Sequence, residues 1–198
     1  AQRTAAAILG VPLETVTPDQ RALAKTINFG LMYGMGDYGL SSRTDLSVDE
    51  AREFIDAYFG RFQRVKEYLD GTVAFARREG YVQTVLGRRR YFPELRASGP
   101  ANRGLIRAAE RQAINMPIQG SAADIIKLAM IALHRLLQEE GLRARMVLQV
   151  HDELVLEVPQ DEVPRASALV VSTMENAYQL SVPLKVDVAI GKNWMEMK

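Results

Sequence analysis

Apolar positions along this chain recur mostly at intervals of three and four, the spacing of one helix face, and change to short β-prone runs in a few places. A first helix reads from Ala1 to Leu9 and ends at Gly10. The next opens at Thr17-Pro18-Asp19, where a capping residue precedes a proline and an acid near the positive end of the helix dipole, and runs to Gly34 and Gly36. Ser47-Val48-Asp49-Glu50 has the form of a capping box and starts a third helix, with Phe54, Ile55, Tyr58 and Phe59 on one face and an interruption at Gly60. A further amphipathic helix spans Phe62 to Glu79 and stops at Gly80. Two runs flanking Gly87 between Tyr81 and Phe92 predict a hairpin with Arg88, Arg89 and Arg90 at its tip.

Helical spacing resumes near Asn102 and is broken at Met116-Pro117. After Gly120 comes a strongly apolar helix, expected to be the most buried, ending at Gly141. Strands Met146 to Val150 and Leu154 to Val158 meet at His151-Asp152-Glu153, followed by a helix from about Asp161 to Tyr178 and a last strand Leu184 to Ile190. The predicted class is α+β: helices first, then an antiparallel hairpin backed by helices. No repeat or flexible linker interrupts this order.

Composition narrows the chemistry. In 198 residues, 47% hydrophobic, there is enough apolar surface for a real core. There is no cysteine, which excludes disulfides, thiolate metal sites and cysteine nucleophiles and points to a reducing, cytoplasmic setting. Only His134 and His151 are present, so a metal would be held mainly by oxygen, as suits Mg²⁺. No apolar stretch reaches the roughly 18 residues of a membrane span, and no membrane association is expected. The first residue is not methionine, which suggests a piece of something longer. Net charge is +1, but it is unevenly distributed: Arg61 to Arg111 holds twelve basic and five acidic residues, whereas Leu136 to Lys198 is net acidic.

Two places could carry chemistry. On the second helix Arg21, Lys25, Phe29 and Tyr33 are spaced by four and form one stripe, while Leu23, Ile27 and Leu31 lie nearly opposite, toward a core. Cations one turn apart followed by aromatics suit a nucleoside triphosphate, with Gly30 and Gly34 permitting close approach; spacing alone leaves open a solvated face with ordinary packing aromatics. The second place is His151-Asp152-Glu153, where adjacent carboxylates at a tight turn repel unless solvent or a divalent cation offsets them. An ordinary surface turn accounts for the tripeptide equally well. Together the two features hold the parts of phosphoryl or nucleotidyl transfer.

The run Arg21-Ala22-Leu23-Ala24-Lys25-Thr26-Ile27-Asn28-Phe29-Gly30 with Tyr33-Gly34 resembles motif B, and Gln149-Val150-His151-Asp152-Glu153-Leu154-Val155 resembles motif C, of the bacterial DNA polymerase I family, family A. Gly87-Arg88-Arg89-Arg90-Tyr91, Asn115-Met116-Pro117-Ile118-Gln119-Gly120 and the Gly191-Lys192-Asn193-Trp194 ending are also family-like and in order. This resemblance implies that Arg21 and Lys25 bind the triphosphate of an incoming deoxynucleotide, Phe29 lies against its sugar and base, and Tyr33 stands where the templating base enters. It implies a catalytic, metal-binding Asp152 with Glu153 auxiliary, His151 near the primer end or nucleotide, and Arg111, Asn115 and Gln119 at template or minor groove. Arg88, Arg89 and Arg90 would support the nucleic-acid face. Implied partners are primer-template DNA, deoxynucleoside triphosphates and Mg²⁺; implied subdomains are fingers over 1–115 and the later palm over 116–198.

Two departures matter. Ala22 stands where members commonly have a second arginine, and no segment resembles motif A, which carries the family's other metal-binding aspartate. The chain alone is therefore expected to be inactive or nearly so, its thumb and motif A palm lying elsewhere. A non-catalytic DNA-binding module of the same architecture is the rival reading, and a nucleotide-binding regulatory domain a more distant one.

Overall fold

A computed structural model describes residues 2–97, 99 and 102–197, Ile8 and Leu9 by their backbone alone. The chain divides into two compact units, Ala1–Gln119 and Gly120–Lys198.

In the first unit, α1 (Gln2–Leu9) precedes α2 (Pro18–Met32); Ala1, where the sequence begins this helix, lies outside the described residues. Thr17 caps α2 more fully than its sequence announces: Gln20 N–H donates to Thr17 Oγ1 at 3.2 Å and Thr17 N–H to Gln20 Oε1 at 3.0 Å, a complete capping box. A short helix, α3 (Asp37–Ser41), follows, and then α4 (Val48–Arg61), capped by Ser47 and Glu50 as the sequence predicts. Gly60 does not interrupt α4; an isolated glycine costs a helix only about 1 kcal/mol, and the break falls at Phe62, whose backbone (φ −116°, ψ 56°) leaves the helical region. α5 (Gln63–Glu79) then runs to Gly80, whose left-handed φ of 82° ends it. Ile27, Leu31, Leu40, Ala51 and Tyr58 form the core beneath α2, α3 and α4.

β1 (Tyr81–Gln83) and β2 (Arg89–Tyr91) pair antiparallel. Arg89 and Arg90 therefore lie within a strand rather than at the tip, because the turn is made by the residues around Gly87 (φ 80°). Val82 and Phe92 are sealed with Ala76, Leu95, Ala109 and Ala113 in a second core.

α6 (Arg103–Glu139) is one 37-residue helix, where the sequence predicts a break at Met116-Pro117. A proline within a helix removes one hydrogen bond and can be tolerated where packing holds both flanks, and Ala113 and Ile114 before it, like Ser121 and Asp124 after it, are buried. Nor is the part after Gly120 wholly buried: Ile126, Ala129, Leu133 and Leu137 form one stripe while Ile131 is exposed. α6 is also long and apolar enough, by length and composition, to cross a membrane, which corrects the expectation of no such segment. The polar residues Gln119, Asp124 and Lys127 interrupt the run without lowering its average enough to fail that test; core helices pass it too.

In the second unit β3 (Arg145–Val150) and β4 (Glu153–Glu157) pair antiparallel, with a shift of register between Met146 and Leu148. α7 (Val163–Glu175) ends three residues before Tyr178, with Asn176 as its C-cap. Leu133, Leu137, Ala144 and Ala166 form this unit's core, with Met146, Leu154 and Leu156 of the hairpin packed on it. The expected last strand, Leu184 to Ile190, is not a strand: alternation makes a segment extended, but a strand exists only where a ladder accepts its backbone. Within this stretch, among the described residues, Val186 N–H donates to the Glu175 carboxylate.

Candidate functional site

The face of α2 divides as its spacing predicts. Ala24, Ile27 and Leu31 are buried with Leu23 partly so, leaving Arg21, Lys25 and Phe29 in solvent, Phe29 at 51% exposure. Among the described residues neither Arg21 nor Lys25 has an ion-pair or side-chain hydrogen-bond partner, so both cations remain available to an anion. Phe29 and the half-buried Tyr33 stack, with ring centroids 6.3 Å apart and planes at 27°. Along this face the cations come first and the stacked rings after.

Gly30 within α2 and Gly34 just beyond it are approached by the chain's own side chains. A Cβ on Gly30 would overlap the Cε of Met35, so the space beside it is filled by the chain's own thioether and not left for a ligand. Gly34 (φ 74°) leads out of α2 in a left-handed turn, and a Cβ there would lie 3.1 Å from Arg111 Cγ. Arg111 of α6 is thus brought against the end of α2 within the first unit.

A cleft of about 590 Å³ opens at this junction, lined among others by Gly34, Gly36, Arg77, Arg107, Glu110 and Arg111. Arg77 is neutralised by Glu110 at 2.5 Å. Arg107 and Arg77 line the cleft without having been singled out in the sequence; the excess of basic residues between Arg61 and Arg111 is the signal that includes them. Asn115, one turn beyond Arg111, holds a buried Oδ1 with no hydrogen-bond partner, and Gln119, a turn further, is exposed. Arg88 is exposed beside the hairpin turn, Arg89 lies over the Tyr81 ring, and Arg90 donates to Gln112 Oε1.

In the second unit the predicted turn contains two residues, His151 and Asp152, because Glu153 already pairs with Val150. His151 has φ 53°, and among the described residues it alone departs from glycine in holding a left-handed conformation. The turns favoured in two-residue hairpins place the first central residue at positive φ, and a non-glycine residue meets this at a cost of about 1–2 kcal/mol, a strain of the kind that accumulates at working sites. Asp152 and Glu153 are exposed, and neither side chain has an ion pair or hydrogen bond among the described residues. Both are hard oxygen donors of the type Mg²⁺ takes, but no group of three or more His, Cys, Asp or Glu able to hold a metal occurs among the described residues. The turn fits such an ion as part of a ligand set, not as a complete one.

The family model for DNA polymerase family A matches residues 2–196, and the chain belongs to that family. DNA polymerase I of Caldicellulosiruptor bescii is 50% identical over 196 residues, covering 99% of this chain and 23% of that protein. The thermostable DNA polymerase I of Thermus thermophilus is 48% identical, again over 99% of this chain and 23% of the relative. A solved structure, the POL domain of Pol1 from M. smegmatis in complex with DNA primer-template and dNTP, superposes with a TM-score of 0.94 at 46% identity, covering 99% of this chain and 34% of that one. The chain thus spans less than a quarter of the length of these curated relatives.

Proposed function

We propose that this chain provides the nucleotide-binding fingers, 1–115, and the later palm, 116–198, of a template-directed DNA polymerase acting in the cytoplasm. The observation that carries this reading is the uncompensated Arg21–Lys25 pair followed by the stacked Phe29 and Tyr33, on the helix that resembles motif B in a chain matching family A throughout. Arg21 and Lys25 bind the triphosphate of the incoming deoxynucleotide by charge-assisted hydrogen bonds, Phe29 covers the sugar and base, and Tyr33 receives the templating base. Arg111, Asn115 and Gln119, at successive turns of one helix, contact the template or minor groove, where the unpartnered Asn115 Oδ1 is an acceptor awaiting a donor. Arg88, Arg89 and Arg90 add to the positive nucleic-acid face.

Asp152, with Glu153 beside it, would hold Mg²⁺, whose chemistry there would be to lower the pKa of a hydroxyl and offset phosphate charge. His151 orients the primer end or nucleotide from the same turn. Two carboxylates are too few for a two-metal site, so the chain by itself has little or no activity and depends on a further aspartate and on the thumb in the remainder of a family polymerase.

The test is primer extension by a polymerase completed with the N-terminal portion of a relative. Asp152→Ala abolishes extension while leaving primer-template affinity within about threefold, whereas Lys25→Ala raises the KM for nucleotide by about 10- to 150-fold, the loss of one charged hydrogen bond. Near-normal extension by the Asp152 variant refutes the assignment. Salt-sensitive DNA binding without extension by the unsubstituted assembly would establish the non-catalytic module instead.

A further inference from the structure

The hairpin of β1 and β2 has a face that the nucleotide site does not use. Alternate residues of a two-stranded ribbon share a face, so the pairs Tyr81↔Tyr91 and Gln83↔Arg89 stand together on one side and Val82↔Arg90 on the other. On the second side Val82 belongs to the core, and Arg90, though exposed, lies over the Phe92 ring at 5.1 Å and binds Gln112. The first side is open, and Tyr91 there is 64% exposed.

Its ring is nevertheless held. Tyr91 leans on Tyr81 with centroids 5.8 Å apart, and Tyr81 in turn meets the edge of Phe75 at 5.6 Å. The Arg89 guanidinium sits 4.3 Å over the Tyr81 ring. Among the described residues Arg89 has no carboxylate partner, unlike Arg77 and Arg78 nearby, which are paired with Glu110 and Glu79. A single exposed tyrosine says nothing by itself. A ring fixed by neighbours, beside an uncompensated planar cation in a strongly basic stretch, matches a ligand offering both a flat π face and a negative charge. Single-stranded DNA offers both, while a duplex hides the faces of its bases. An acidic peptide would use the charge and leave the ring idle.

We propose that the outer face of this hairpin is a stacking platform for an unpaired nucleotide of single-stranded DNA, Tyr91 taking the base and Arg89 the neighbouring phosphate. The inference rests on the nucleic-acid reading above and adds to it a site for the strand outside the primed duplex.

The experiment uses the 198-residue chain, fluorescein-labelled oligothymidylate and a labelled blunt duplex of equal length, read by fluorescence anisotropy. Tyr91→Ala weakens oligothymidylate binding by roughly 5- to 150-fold, the worth of one stacked base, and changes duplex binding by less than about twofold. Tyr91→Phe restores the affinity, Arg89→Ala lowers the salt slope by about one, and Tyr68→Ala, an exposed tyrosine on α5, has no effect. Photocrosslinking of a 5-iododeoxyuridine oligonucleotide maps to Tyr91. Unchanged oligothymidylate affinity in Tyr91→Ala, or an equal loss in Tyr68→Ala, overturns the platform. Either result leaves the polymerase reading to stand or fall on Asp152 and primer extension. Failure of the unsubstituted chain to bind either probe overturns the platform together with the DNA contacts assigned to the first unit.

Discussion

The two units offer their charges from different kinds of scaffold. Arg21, Lys25 and Arg111 project from helices, whose backbone hydrogen bonds close within each segment, and two apolar clusters back those helices. Asp152 sits on the tip of a ribbon of only two strands backed by one cluster. Along that ribbon Val147 and Leu148 stay 56% and 46% exposed, and the extended segment 184–190 finds no ladder among the described residues. A helix satisfies itself, whereas a sheet must be satisfied by its neighbours, and isolated two-stranded pieces are only marginally stable. The binding half of the proposed chemistry is accordingly self-supporting, and the catalytic half is built from an element that needs company.

Substitutions can break or sharpen this contrast. The largest effect is expected at Phe92, 1% exposed in the first unit, where truncation to Ala should cost about 3–5 kcal/mol, read as lost amide-exchange protection over 81–92. Leu133→Ala, in the single cluster of the second unit, should cost about 2–5 kcal/mol and release protection in both β3 and β4. Val147→Ala on the open strand should stay within about 0.5 kcal/mol; a large loss there would mean that this strand is covered in solution and would weaken the contrast.

Shifts between those of the core and that of the open strand are expected at the turns. Gly34→Ala forces a side chain into a left-handed backbone against Arg111 and should cost about 1–2 kcal/mol in denaturant unfolding. His151→Gly should relieve the strained turn and raise the stability of the second unit by up to about 1 kcal/mol, visible as slower exchange at Val150 and Glu153. The smallest effect is a pH dependence in the first unit. The Tyr38 N–H and the Arg52 guanidinium hold the Asp37 carboxyl below the usual carboxylate range. A depressed carboxylate stabilises the fold above its unfolded pKa and loses that contribution as pH falls through the folded one. The tie between α3 and α4 should therefore loosen below about pH 4, and Arg52→Ala should flatten that dependence in chemical-shift titrations of Asp37.

How much of this was readable beforehand differs by the range of the interaction. Ser47 with Glu50, Thr17 before Pro18 and Gly80 after Glu79 announce helix ends through groups three or four residues apart, and the helices begin and end there. The split of α2 into a cationic and an apolar face, and the carboxylate turn between two β-prone runs, follow from local periodicity for the same reason. Pro117 and Gly60 misled, because each is a local penalty of a few kcal/mol or less that tertiary packing outweighs. The last predicted strand failed for the converse reason: its extended pattern is local, but its hydrogen bonds belong to a partner.

Sequence alone therefore determined the helical faces, their caps, the residue types available for phosphate and metal, and the family. Only the tertiary structure decided that Met35 fills the space beside Gly30, that Arg111 closes on Gly34, and that of three consecutive arginines one lies over Tyr81 and the next turns toward Gln112. The physical reason is distance along the chain. Periodicity reports which way a side chain points from its own element, while what it meets there comes from residues tens of positions away, which no local pattern encodes.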